Sequence, residues 1–324
     1  MHTNTSSWFP IRDKCHFFLH GNDAERYLNG QVTNNIKKLA TNHTLSACLL
    51  TPKGKLCALL TISRSRFPLV DGTEAIDGFL IESDLVLQDV ISNRLERYIV
   101  ADDAHLTDLT GKFYGLHLLS PEEKISQSIV TPLVIHQHSR LATPGYDIWF
   151  PNIETAKSLQ LDPGAELSSA DIEHERIRLG TPKWGHELSE NTLPAEVGLD
   201  KTAIDFHKGC YLGQEVISRI QSIGHVNHHL VPCHWENEDL TSFPLSIPLF
   251  SDAATAKDST NAKPVGKITS ISPNKNAKIG LAIIHRSVSD ATELFAAENK
   301  EHPKRILRIE ISHLARHNNN DETL

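Results

Sequence analysis

The residues best placed to do chemistry lie in one run, Phe206-His207-Lys208-Gly209-Cys210-Tyr211-Leu212-Gly213-Gln214-Glu215. Two glycines bracket a cysteine and a tyrosine, and a helical pattern, Glu215-Val216-Ile217-Ser218-Arg219-Ile220, follows at once. Glycine allows a tight turn and lets a ligand or a second backbone approach closely. A thiol just before a helix start feels the positive end of the dipole, which favours thiolate, and Lys208 would add to that field. Cys210 is thus the candidate nucleophile or soft ligand, with Lys208 as its activator. The same residues also fit a small buried cysteine beside a structural turn.

Elsewhere the chemistry is thinner. Five cysteines (Cys15, Cys48, Cys57, Cys210, Cys233) form no C-x-x-C pair, so neither a disulfide framework nor a local zinc or iron–sulfur ligand set is indicated. His225, His228, His229 and His234 lie close together in sequence. Without a carboxylate or cysteine at suitable spacing they read as the polar edge of a strand, and no metal site is expected.

These groups must be positioned by a chain of 324 residues, long enough for two domains or more. A hydrophobic fraction of 39% and a charged fraction of 22% are ordinary for a globular protein. The formal net charge of −8 argues against holding nucleic acid by electrostatics, so no direct nucleic-acid binding is expected. No apolar run is long enough to span a bilayer, and the first residues lack a signal-peptide pattern. A cytoplasmic location without membrane contact is therefore expected.

In chain order, Asn22 and Glu25 have capping-box spacing for a short helix that Asn29-Gly30 would stop. Leu45–Leu50 and Lys55–Ile62 read as a hairpin around Thr51-Pro52-Lys53-Gly54, which would set Cys48 opposite Cys57. After a strand at Gly78–Glu82, Ser83-Asp84 would cap an amphipathic helix with Leu87, Val90, Ile91, Leu95 and Tyr98 on one face. Strands are expected at Ala104–Leu109, Tyr114–Leu119, Leu133–His138 and Gly145–Phe150, and helices at Ile153–Leu159 and Ile172–Leu179. Asp252–Ala262 reads as a polar loop. Strands alternating with a few helices indicate an α+β domain with largely antiparallel sheets.

The string K-G-C-Y-L-G-Q-E, Lys208 to Glu215, resembles the signature of the YgfZ family, folate-binding proteins associated with iron–sulfur cluster assembly and tRNA modification. That family is similar in fold to the glycine-cleavage T-protein, the tetrahydrofolate-dependent aminomethyltransferase. Weaker matches are Gln31-Val32-Thr33-Asn34, Arg176-Ile177-Arg178-Leu179-Gly180, Trp184-Gly185 and Leu193-Pro194-x-Glu196. The runs Pro264–Pro273 and Ile279–Ile284 resemble the closing β-barrel of these families. The resemblance implies a folate-binding α+β region over residues 1–228, a small C-terminal β-barrel over 229–314, and a disordered tail over 315–324.

It also implies tetrahydrofolate, or a one-carbon derivative, as cofactor. Tyr211, Gln214, Glu215, Arg219, Glu196, Trp184, Asn34 and Arg178 are its candidate contacts. Arg219 would meet the glutamate tail or pair with Glu215; Glu196 would meet the pterin edge and Trp184 would stack. The implied partners are iron–sulfur client or assembly proteins. Two departures separate this chain from the T-protein. Where that enzyme has Gly-x-x-Asp-Asp, this chain has Gly54-Lys55-Leu56-Cys57-Ala58; where it has a pterin-binding glutamate, this chain has Arg178. Without those carboxylates an accessory factor is expected rather than an active aminomethyltransferase. A one-carbon transferase acting on another amine, and a non-catalytic folate-binding scaffold, are the alternatives.

Overall fold

The structure, a computed structural model, describes residues 7–69, 74–119, 133–141, 143–236, 240, 246–257, 262–289, 293–297 and 306–311. The expected tail at 315–324 lies outside the described residues. In chain order the first elements are β1 (Ser7–Pro10), β2 (Lys14–His20), α1 (Ala24–Gln31), β3 (Thr44–Leu50), β4 (Leu56–Phe67) and β5 (Ile76–Asp84). Next come α2 (Gln88–Glu96), β6 (His105–Asp108), β7 (Tyr114–Leu119), β8 (Val134–His138), β9 (Gly145–Phe150), α3 (Ile153–Lys157), α4 (Ser169–Arg178) and α5 (Gln214–Ile223). The last are β10 (His228–Trp235), β11 (Ile247–Phe250), α6 (Ala253–Lys257), β12 (Gly266–Ile271), β13 (Ile279–His285), β14 (Glu293–Ala297) and β15 (Ile306–Ile311).

Two compact units interleave along the chain. The first holds Met1–Ser168, Ser189–Pro194 and Leu199–Gly224; the second holds Ser169–Leu188, Ala195–Gly198 and His225–Leu324. Where the sequence suggested one cut near residue 228, two short stretches before it are built into the second unit.

The first unit contains a five-stranded sheet, ordered β3-β4-β5-β2-β6, and a four-stranded sheet, ordered β1-β7-β9-β8. Strand pairings in both are antiparallel, as the α+β reading expected. Phe18, Phe67 and Leu80 from the first sheet pack with Val134 and Trp149 from the second. Beside this apolar patch lies a buried charged cluster. The Arg140 guanidinium donates to both Glu82 oxygens at 2.7 Å and to Asp147 at 2.7 and 2.8 Å. His117 and His138 Nδ1 lie 2.8 and 2.7 Å from Asp147, and His16 Nε2 lies 3.2 Å from Glu82. Bidentate arginine pairing satisfies carboxylate lone pairs that burial strips of water.

The second unit is organised by a closed barrel, β10-β13-β12-β11-β14-β15. Its interior is filled by alternate residues such as Val231, Cys233, Trp235, Leu249, Ile268, Ile284 and Ile309. Against it, α4 contributes the buried Arg176, which donates to Glu187 at 3.1 Å and to Ser270 Oγ at 2.7 Å. Of the β10 histidines, His234 is paired on both sides, by β13 and β15, whereas His228 and His229 pair with β13 alone. His228 bonds Glu196 at 2.9 Å and His234 bonds Glu310 at 2.6 Å.

Several local expectations are corrected. Asn22 does not cap α1; its amide bonds Asp103, Glu25 pairs with Arg64, and the helix continues past Gly30 to Gln31. Ser83 and Asp84 extend β5, with the Ser83 hydroxyl on Leu59 O and Asp84 paired to Lys14 at 2.6 Å. A 3-10 turn, Leu85–Leu87, intervenes before α2, on which Val90 is exposed rather than buried; Tyr98, beyond its end, is exposed too. A bulge between Leu49 and Leu50 sets Cys48 opposite Leu59 and leaves Cys57 without a ladder partner. Within the expected polar loop, Asp252 caps α6 by accepting from Thr255 N at 2.7 Å, and Ala256 is fully buried.

Candidate functional site

In the first unit, three segments singled out from sequence converge. Thr33 exchanges backbone and side-chain bonds with Cys48: its N–H donates to Cys48 O at 3.1 Å, and its Oγ1 accepts from Cys48 N at 2.8 Å. The same hydroxyl donates to Ala203 O at 2.6 Å, and Asp205 N donates to Thr33 O at 3.1 Å. Thr33 therefore ties the Gln31–Asn34 segment to β3 and to the approach to the cysteine motif.

The third segment is the hairpin turn Thr51–Gly54, which closes against α5. Gly213 precedes α5 with φ +88°, and a Cβ there would stand 2.7 Å from Thr51 O. Gly54 has φ +72°, and a Cβ there would meet the Val216 side chain at 2.9 Å. Both are positions where only glycine fits without strain. Gly213→Ala is expected to cost about 2 kcal/mol or more, from the left-handed backbone plus the clash. Urea unfolding checks it; a loss under about 0.5 kcal/mol would show that the turn yields freely.

Lys208 is the residue this convergence buries. Only 7% exposed, it places Nζ 2.6 Å from Asn29 O, 2.6 Å from Val32 O and 2.7 Å from Asn34 O. These carbonyls end α1 and begin the loop after it, where a cation complements the helix dipole. Burial pushes the Lys208 ammonium down to about 8, with the Asp205 carboxylate pulling the other way. An ammonium has three N–H donors for three carbonyls, whereas a neutral amine has two. With all three donors committed, none is left for the Cys210 sulfur. The expected activation of Cys210 by Lys208 is thus replaced by a structural engagement.

Cys210 itself is exposed and stands between two buried anchors, Lys208 and Tyr211. The Tyr211 ring lies 5.3 Å from the Lys208 nitrogen, and burial pushes its phenol up to about 12. α5 begins at Gln214, so Cys210 precedes its first turn by several residues, where the dipole is fading. Glu215 and Arg219 are both exposed on α5, and among the described residues they form no ion pair with each other. The Asn34 amide donates to Ser46 O at 2.8 Å, while its oxygen accepts from Asn35 N.

The remaining sequence-chosen residues belong to the second unit. Arg178, exposed in the last turn of α4, pairs with Glu175 at 2.7 Å. Trp184 is half-buried in a turn bridged to Leu188. Glu196 sits in the 3-10 turn Pro194–Val197 and holds His228.

Two carboxyls of the first unit, Asp200 and Asp205, lie outside the sequence motifs. Asp200 is half-buried and desolvation pushes its pKa up, with Lys201 opposing; its charge is felt by the fully buried Cys48. Only its place eight residues before Lys208 could have flagged it. Asp205 was also passed over, yet it bonds Lys38 at 2.8 Å and accepts from His207 N at 2.8 Å, turning the chain into Lys208.

No family model matches the chain. Over 259 residues it is 24% identical to a mitochondrial iron–sulfur cluster assembly factor IBA57 homologue of Dictyostelium discoideum, covering 72% of this chain and 64% of that protein. It is 26% identical over 313 residues to the tRNA-modifying protein YgfZ of Buchnera aphidicola, covering 90% of this chain and 91% of that one. The chain spans from 50% to 64% of the length of the IBA57 homologues first matched. The crystal structure of glycine cleavage system aminomethyltransferase T from Bartonella henselae superposes with a TM-score of 0.75 at 13% identity, covering 96% of this chain and 86% of that one. Among the described residues, no helix is long and apolar enough to cross a membrane, and no group of three His, Cys, Asp or Glu side chains could hold a metal ion.

Proposed function

We propose that this chain, related in sequence to YgfZ and IBA57 proteins and built on the aminomethyltransferase T fold, is a tetrahydrofolate-binding accessory factor for assembly or repair of iron–sulfur enzymes, tRNA-modifying ones included. The observation that carries the reading is the exposed Cys210, held between two buried anchors where three sequence-chosen segments interlock. A soft sulfur presented on a fixed loop suits contact with a partner's iron or sulfur better than a buried thiol would.

The residues present fit a folate in part. Arg219 offers an exposed guanidinium outside any ion pair among the described residues, suited to the carboxylates of a glutamate tail. Gln214 and Glu215, on the same first turn of α5, add a neutral amide and a carboxylate. Glu196, in the second unit, is already engaged with His228 and is not among these contacts. Bound tetrahydrofolate would supply a one-carbon carrier, which these side chains would orient.

Titration with tetrahydrofolate under reducing, anaerobic conditions tests the proposal in the natural protein and in Cys210→Ala. Saturable binding by both, with cellular iron–sulfur enzyme activity lost only in the variant, is the expected result. No binding by either would remove the folate reading. The variant should retain full stability, because an exposed side chain contributes little to packing.

One observation favours a second reading, one-carbon transfer. Asp200 is a half-buried carboxyl with a raised pKa, the property a general acid or base needs. Under that reading Asp200→Asn abolishes turnover while leaving tetrahydrofolate affinity intact.

A further inference from the structure

We propose that Lys208 is a positioning residue, a tethered cation that clamps the Asn29–Asn34 segment to the cysteine loop and so fixes where Cys210 is presented. The inference rests on the reading of Cys210 as the working residue. Three features of the geometry support it.

First, the Nζ contacts form a cation cage rather than a chance capping bond. Three backbone carbonyls from one six-residue stretch converge within 2.6–2.7 Å of one nitrogen. An ammonium matches three acceptors one for one, which a guanidinium or an amide cannot do in that space. Without it, carbonyls at the end of α1 would face the interior unsatisfied.

Second, the clamp is braced on the cysteine side. Asp205 accepts from His207 N at 2.8 Å, bonds Lys38 at 2.8 Å, and donates its own N–H to Thr33 O at 3.1 Å. The backbone enters Lys208 already fixed to the segment that its side chain reaches. Third, the chain leaves through Tyr211, whose buried ring lies 5.3 Å from the same nitrogen and whose carbonyl accepts from Gln214 N. Only Gly209 and Cys210 lie between the two anchors, so the cysteine has little freedom to wander.

The test uses amide hydrogen exchange on the full chain. In Lys208→Met, which keeps most of the side-chain volume and loses every donor, the hydrogen-bonded amides of Val32, Thr33, Asp205 and Gln214 should exchange at least about tenfold faster. That factor corresponds to about 1.4 kcal/mol of local opening. Exchange in β10–β13 should be unchanged. In Lys208→Ala, propylammonium should restore slow exchange, whereas tetramethylammonium, with no N–H to donate, should not; a loss of packing alone would not distinguish the two. Unchanged exchange in Lys208→Met, or equal rescue by both cations, would overturn the clamp.

Should neither variant fold, the natural protein decides. With 15N-labelled lysine, Lys208 should give a slowly exchanging Nζ signal coupled through hydrogen bonds to the carbonyl carbons of residues 29, 32 and 34. A signal exchanging as fast as the exposed lysines would sink the inference. Tetrahydrofolate titration beside these measurements separates the two claims. A natural protein that binds no folate loses the functional reading and leaves the exchange result standing. Folate binding with normal exchange in Lys208→Met removes the clamp alone.

Discussion

Replacing Arg140 with methionine is expected to remove about 3–5 kcal/mol from the first unit, the largest single loss anticipated in this protein. Glu82 and Asp147 are 5% and 2% exposed, and Arg140 donates two bonds to each. Burial alone would push both carboxyls up; the guanidinium more than offsets this and holds them well below the usual carboxylate range. Methionine fills much of the volume but leaves two buried carboxylates with only histidines beside them. Uncompensated buried charge costs more than the intact cluster contributes, so the damage exceeds the worth of any one bond. Because the chain forms two units, the loss should be read from amide exchange of β7, β8 and β9 rather than from one melting temperature. Adding Glu82→Gln to Arg140→Met should recover part of the loss by removing one stranded charge. A deficit below about 1 kcal/mol in the single variant would show that water reaches the cluster and that it is not a dry joint.

The second large effect is on acid stability. His136 is 1% exposed in β8, and burial pushes its pKa down to about 4 from 6.5; burial also lowers His117. A group whose folded pKa is depressed stabilises fully above its unfolded value, and the contribution drains away as pH falls through the folded value. Between about pH 6.5 and 4 the unfolded chain therefore takes up a proton that the folded chain refuses at His136. The expected loss from this residue is about 3 kcal/mol over that window. The carboxylates act later: the stabilisation of Glu82 and Asp147 is present above the ordinary carboxylate range and is lost only below about pH 4. Stability measured in urea at stepped pH should thus fall in two stages, and His136→Gln should flatten the first while sparing the second. Equal slopes for the natural protein and His136→Gln between pH 4 and 6.5 would refute the assignment.

Both effects lie far from the residues that sequence made conspicuous. Arg140 follows a short strand and carries no motif; its partners are 58 and 7 positions away in the chain. Nothing local distinguishes it from a solvated arginine, and only the stacking of one sheet on the other turns it into a buried counter-ion. For the same reason nothing local sets His117 and His136 apart from ordinary strand residues.

What the sequence determined by itself is what short-range chemistry controls. Alternation placed β7, β8 and β9 within a residue or two, glycines marked the turns at Gly54 and Gly213, and the eight residues from Lys208 to Glu215 pointed to the right loop. The resemblance carried the α+β fold and the closing barrel. Tertiary structure decided the rest. Capping at Asn22 and Ser83 gave way because those side chains found partners at Asp103 and Leu59, distant groups that outbid a local turn. The turn closing on Leu50 and Leu56, together with the bulge at Leu49/Leu50, shifted the register by two residues and set Cys48 against Leu59 instead of Cys57. Lys208 changed most. From sequence it was a charge two residues from a thiol, and in the fold its ammonium is enclosed by three carbonyls some 175 residues away. A lysine's reach and three donors let it serve either place; where the backbone leaves carbonyls unsatisfied is a property of the folded chain, and that is where the ammonium goes.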